Sequence, residues 1–166
     1  MLLLKCSLVV SDALCPAVDL KSNQNNQYSN IEQISIDHFY GLYKLQNLLP
    51  YTPRLRHLIC RKSLSVTFVT YNLHYFTIDQ CNSKFGELKS LLMEIGSPLR
   101  TLRVDTKLNK ELYLNAHRWE ELISQYMPNL HKFYFTNHQP FTNQQEIIEY
   151  YSSVCGFESL FWIDRQ

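Results

Sequence analysis

Glycine is scarce in this chain, four residues in 166, and the four are scattered singly. A phosphate-cradling loop needs several glycines close together so that backbone amides can approach the anion, so no such loop can be built here. The five cysteines, at 6, 15, 60, 81 and 155, contain no C-x-x-C pair, and the six histidines never fall at H-E-x-x-H spacing. No zinc site and no other metal or cofactor is expected from that pattern. There is no Asn-x-Ser/Thr sequon. Together with an odd number of separated cysteines, this predicts a reducing compartment, cytoplasmic or nuclear. No apolar run approaches the ~18 residues of a membrane span. The formal charge of +1 gives no net field toward nucleic acid or an anionic membrane, so any basic site must be local.

The start, Met1-Leu2-Leu3-Leu4-Lys5-Cys6-Ser7-Leu8-Val9-Val10, has the look of a signal peptide, but Lys5 interrupts the apolar run instead of preceding it. Few prolines and an apolar content of 45% exclude a low-complexity chain and leave enough for one real core. Aromatics are frequent, with eleven Tyr and nine Phe.

What is present is a repeat. Three apolar residues, spaced as apolar, two residues, apolar, one residue, apolar, recur at Ile31/Ile34/Ile36, Leu55/Leu58/Cys60, Leu73/Phe76/Ile78, Leu99/Leu102/Val104, Leu130/Phe133/Phe135 and Phe157/Leu160/Trp162, with a weaker copy at Leu3/Cys6/Leu8. Successive starts lie 24, 18, 26, 31 and 27 residues apart. That is close to the roughly 20–29 residues of a leucine-rich repeat. Each copy predicts a strand, and most of the links between them are long enough for a helix, as parallel strands require.

The helices carry their own signals. Gly41 to Leu49 places Leu42, Leu45, Leu48 and Leu49 on one face, and Pro50 stops it. Ser83 is the expected cap of a helix presenting Phe85, Leu88, Leu91, Leu92 and Ile95, with Gly96 at a left-handed C-terminal position. Asn115 precedes Trp119, Leu122, Ile123 and Tyr126, while Thr142 with Gln145 fits a capping box ahead of Ile147, Ile148, Tyr151 and Val154, with Gly156 past the end. At three junctions paired apolar residues end a helix and a proline follows before the next strand: Pro50 and Pro53, Pro98, and Pro128. Residues 64–71 are β-branched and aromatic and read as extended, without a register. Lys21 to Asn30 is too polar to bury anything and reads as a surface loop.

Units of about 25 residues that cannot bury their apolar faces alone do so by stacking. The expected fold is therefore α/β: a curved parallel sheet with strands on the concave side and helices on the convex side. Residues 1–30 form an irregular first repeat or cap with its polar loop, and 31–166 form the array. The stretch Leu73-His74-Tyr75-Phe76-Thr77-Ile78-Asp79-Gln80-Cys81-Asn82 resembles a leucine-rich-repeat strand with its closing Cys or Asn. With the Leu-Leu-x-x-x-Pro-x-Leu junctions and the helix from Asn115 to Ile123, the chain is similar to the leucine-rich-repeat-like regions of F-box domain proteins of expanded invertebrate families. The resemblance implies a substrate-recognition module of a ubiquitin-ligase adaptor, with a protein target and, where an F-box exists upstream, ligase subunits as partners.

The departures from that pattern are specific. Only one copy has Cys or Asn at the closing position, residues 1–30 lack the apolar helices of an F-box, and no polar closing unit follows the last copy. That is the pattern of a truncated chain, or of a family member without its N-terminal module. A ribonuclease-inhibitor-like or receptor-type binder with no ligase link is the alternative reading.

Between the core positions of each copy lie residues expected on the concave face. The middle row is Ser35, Ile59, Thr77, Arg103, Tyr134 and Phe161; two residues later the row is Asp37, Arg61, Asp79, Asp105, Thr136 and Ile163. The candidate protein-binding residues are Arg61, Tyr75, Asp79, Arg103, Asp105, Tyr134 and Phe161, because aromatic and Arg side chains anchor interfaces. The competing reading is that the charges neutralise one another on a solvated sheet and that a further segment covers Phe161. Arg54, Arg56, Arg61 and Lys62 are the densest basic cluster, more simply a solvated face than a nucleic-acid site. A Cys or Ser nucleophile would need a His beside it; Cys60 and Cys81 sit at core and turn positions, so no enzyme is expected.

Overall fold

The structure is a computed structural model describing residues 6–10, 30–36, 52–61, 72–106, 111–138 and 143–163. Expectations for the polar loop up to residue 29, the helix ending at Pro50, Asp37, residues 64–71 and Thr142 lie outside the described residues. Six strands form one sheet: β1 (Cys6–Val10), β2 (Ile31–Ile36), β3 (His57–Arg61), β4 (Tyr75–Cys81), β5 (Thr101–Thr106) and β6 (Lys132–Asn137). Their spatial order is their chain order, and every neighbouring pair is parallel. A sheet of that kind needs a crossover after each strand, which is what the repeat spacing provides.

Register aligns the repeat. Ile34, Leu58, Phe76, Leu102 and Phe133 are consecutive partners, and so are Ile36, Cys60, Ile78, Val104 and Phe135. The first four of each row and Phe133 are buried. One step earlier, Leu55, Leu73, Leu99 and Leu130 are buried too. Each such side chain contributes about 1.5–3 kcal/mol by leaving water, so the three aligned columns are the main stabilising feature of the sheet. The weak first copy is a real strand, but with a different register from the one its spacing predicts. Leu8 and Val10 stand opposite Ile34 and Ile36, where Cys6 and Leu8 were expected.

The helices described are α1 (Phe85–Ile95), the short α2 (Glu111–Leu114), α3 (Ala116–Tyr126), α4 (Gln144–Val154) and the short α5 (Leu160–Ile163), with a 3-10 turn at Cys155–Glu158. α1 buries Phe85, Leu88, Leu91, Leu92 and Ile95, as its periodicity predicts. α3 buries Ala116, Trp119, Leu122 and Ile123 and is capped by Asn115, whose side chain accepts from the Arg118 N–H at 3.1 Å. Both stripes share one core cluster with Phe76, Ile78, Leu102 and Val104, so these helices pack against one face of the sheet; among the described residues the opposite face is exposed at Tyr75, Arg103 and Tyr134 and buried at Ser35.

Four details differ from the sequence reading. Lys84, not Ser83, is the α1 N-cap, and its N–H is taken by the Glu87 carboxylate at 3.1 Å. Ser83 is instead buried, with its carbonyl accepting from the Tyr113 hydroxyl at 3.0 Å. Gly96 is right-handed, φ −68°. It is required by close approach, since a Cβ there would lie 2.5 Å from the Leu92 carbonyl oxygen and 2.8 Å from that of Tyr126. α4 is capped by Asn143, which accepts from the Glu146 N–H at 2.9 Å, and none of its residues is buried.

The fourth correction is the largest. Phe157/Leu160/Trp162 is not a strand: the segment is the 3-10 turn followed by α5. Trp162 is buried at the end of the aromatic core, 5.3 Å from the Phe133 ring and 4.9 Å from that of Phe157. These large rings pack against β6 from a turn and a short helix, and a short apolar run does not by itself distinguish a strand from a helix.

Candidate binding face

Side chains alternate along a strand, so the residues between the buried columns point away from the helices. The register links Ser35, Ile59, Thr77, Arg103 and Tyr134 as partners across β2 to β6, and Gln33, His57, Tyr75, Thr101 and Lys132 as a second row. Tyr75 is 41% exposed and Tyr134 44%. Arg103 is exposed and directly paired with Tyr134. Phe161 does not join these rows. It lies on α5, half-buried against the core, with its ring 4.8 Å from Trp162.

The third row is a set of opposed charges. Arg61 and Asp79 are register partners, with the guanidinium Nε 3.8 Å from a carboxylate oxygen. Asp105 pairs in register with Thr136, and one of its oxygens is 3.3 Å from His138 Nε2. Asp79 and Asp105 are not register partners, because the β4–β5 ladder shifts between Ile78 and Cys81, where Gln80 takes φ 55°. A non-Gly residue in the left-handed region lets the strand bulge and turn, at a cost of roughly 1 kcal/mol or more.

Two participants are not among the candidate residues taken from the sequence. His57 stacks on Tyr75, ring centroids 4.1 Å apart and 9° from parallel. His138 is the partner of Asp105. His57 was findable: it stands two residues before Ile59, as Tyr75 stands two before Thr77. His138 lies just past its strand, where no periodicity points to it.

Cys60 and Cys81 are both buried. Burial, with a smaller effect of the Asp79 carboxylate, pushes the Cys60 thiol up to about 12. Cys81 lies 3.4 Å from the Tyr113 hydroxyl in the core, and burial, then Cys81, raises that hydroxyl above its ordinary value. Thiolate is the nucleophilic form, so burial disfavours covalent chemistry at Cys60.

Two depressions lie among the described residues. One, of about 920 Å³, separates the start of α3 from α4 and is lined by His117, Glu120, Glu146 and Glu149 among others. The other, of about 350 Å³, runs beside β6 and is lined largely by aromatic rings, with the Asn137 amide and Trp162 Nε1 buried and without hydrogen-bond partners. Among the described residues no group of three or more His, Cys, Asp or Glu is placed to hold a metal ion. None of their helices is long and apolar enough to cross a membrane. No protein-family model, curated protein or solved structure matches this chain.

Proposed function

We propose that this chain is a non-enzymatic protein-interaction module of the leucine-rich-repeat type, whose open sheet face captures a target protein. In the F-box-like form of this reading it is the substrate-recognition part of a ubiquitin-ligase adaptor, acting without a cofactor and without binding nucleic acid or membrane. Tyr75, Arg103 and Tyr134 are the anchors. Arg61, Asp79 and Asp105 form the polar surround.

The observation that carries the reading is the in-register row in which exposed Arg103 is paired with exposed Tyr134, on the face opposite the described helices. Large aromatic side chains bury much area at little cost in rotamer freedom, and Arg adds directional hydrogen bonds. Exposed tyrosines on a regular surface are therefore better explained by a partner than by folding.

The test is affinity capture with the wild-type chain, an Arg103→Glu/Tyr134→Ala variant, and a helix-side control, Arg118→Glu. Proteins recovered by the wild type and the control, and lost with the open-face variant, support the reading. Equal recovery by all three contradicts it. Repeating the capture with a longer gene product separates the two forms: a ligase subunit among the recovered proteins supports the adaptor role, and targets without one favour a receptor-type binder.

A further inference from the structure

Each strand from β3 to β6 is preceded by a basic residue or begins just after one: Arg56, His74, Arg100 and His131. The backbone stacks them. The His74 N–H donates to the Arg56 carbonyl, the Arg100 N–H to the His74 carbonyl and the His131 N–H to the Arg100 carbonyl, each at 2.9 Å. The four therefore follow one another at the ~4.8 Å spacing of paired strands, along the edge of the sheet where the strands start. On β2 the equivalent residue is Glu32, whose carbonyl accepts from the Arg56 N–H, so the basic run begins at β3.

Arg56, Arg100 and His131 are exposed, and so is Lys132 next to the last of them. Among the described residues, the ion pairs involve Arg61 and His138 and none involves Arg56, Arg100 or Lys132. The two guanidinium groups act on the same imidazole: His74 is held below its ordinary proton affinity by burial, then by Arg100, then by Arg56. One residue further along these strands, His57 and Tyr75 form their parallel stack. An apolar shelf thus lies beside the rung between the two arginines.

We infer that this edge takes an acidic, extended peptide segment of the partner, running across the strands with one carboxylate at Arg56, one at Arg100, and an apolar side chain between them over Tyr75. The inference rests on the protein-binding reading of the sheet and specifies the chemistry of the partner. Two strand spacings are ~9.6 Å. A segment in the extended polyproline-II conformation advances ~3.1 Å per residue with three residues per turn, so carboxylates three positions apart lie on one side and span the two arginines. Arginine suits the role because its planar fork engages a carboxylate through two parallel hydrogen bonds. A nucleic acid is the weaker fit: only two permanently charged groups lie in the four-rung run, and the chain's net charge of +1 supplies no long-range attraction for a polyanion.

The probe is the peptide acetyl-Gly-Glu-Phe-Gly-Glu-Gly-amide, titrated into the isotope-labelled full chain and followed by backbone amide NMR shifts. Saturable shifts centred on Arg56, His74, Tyr75 and Arg100 are expected, weakening with added salt. Arg56→Gln/Arg100→Gln is expected to raise the dissociation constant by about tenfold or more, since it removes two charge-assisted contacts. Both substitutions keep the backbone groups that build the ladder. Equal shifts with the peptide carrying Gln in place of Glu, no shifts at all, or shifts at these residues with oligo(dT) but not with the peptide, would overturn the inference. Its failure is separable from failure of the binding reading, because partner capture lost with Arg103→Glu/Tyr134→Ala leaves that reading intact whatever the peptide does.

Discussion

Trp119 connects more of this molecule than any other single side chain described. Its ring lies 5.2 Å from Phe85 on α1, 4.9 Å from Phe133 on β6 and 6.4 Å from Tyr113 on α2. Its Nε1–H donates to the Tyr113 carbonyl at 2.9 Å. Trp119→Ala removes all four contacts and is expected to cost about 3–5 kcal/mol, read from the denaturant midpoint. Trp119→Phe keeps an aromatic ring against these neighbours and leaves the carbonyl without its donor, so about 1–3 kcal/mol is expected. The cysteines give a chemical test at the same scale. Cys155 is exposed, whereas Cys60 is buried with its thiol pushed up to about 12. Alkylation of the native chain at mildly alkaline pH, mapped by mass spectrometry, should modify Cys155 and spare Cys60. Because the folded-state value of Cys60 lies above its ordinary 9.0, its contribution to stability is whole below pH 9 and is lost as pH rises toward 12. Tyr113 acts in the same direction at still higher pH.

Among the elements, α1 and its C-cap hold two glycine tests of opposite sign. A Cβ at Gly96 would meet the Leu92 and Tyr126 carbonyl oxygens and, at 2.7 Å, the Met127 side chain, while one at Gly86 meets nothing within 4 Å. Gly96→Ala is expected to lower the melting temperature, by about 1–3 kcal/mol of stability. Gly86→Ala is expected to raise it, by up to about 1 kcal/mol. The same helix shows why parts of the fold were legible. Phe85, Leu88, Leu91, Leu92 and Ile95 sit at spacings of three and four, and the buried face follows. For α4 an equally clear stripe misleads: Ile147, Ile148 and Tyr151 are exposed, and only the half-buried Tyr150 and Val154 line the groove beside β6. Periodicity reports which residues share a face. Whether a neighbour covers that face is decided by tertiary packing, and at this end the neighbour expected from Phe157, Leu160 and Trp162 is a turn and a short helix. The placement of Phe161 was lost for the same reason.

For the molecule as a whole, the feature legible from sequence was the column structure. Leu58, Phe76, Leu102 and Phe133 are equivalent partners in successive parallel strands. The rows between them follow from alternation alone, which is why the sequence identifies Arg103 and Tyr134 as neighbours. What alternation does not carry is side-chain pairing beyond the strand, such as His138 with Asp105, or a register shift like the one after Ile78. Since the open face contributes little to the core, Tyr75→Ala, Arg103→Ala and Tyr134→Ala should each leave stability within about 0.5–1 kcal/mol of wild type while weakening partner capture. A large loss of stability in all three would place these residues in folding, not recognition.

Both the proposed binding face and the proposed acidic partner depend on successive rungs being parallel and in register. The most direct measurement is a set of nuclear Overhauser contacts between backbone protons of β4, β5 and β6 in the full chain. Contacts joining Thr77 to Arg103 and Arg103 to Tyr134, in the evenly spaced pattern of parallel strands, are the expected result. Close Hα–Hα contacts of antiparallel pairs, or helical contacts within residues 101–106 or 132–137, would contradict it.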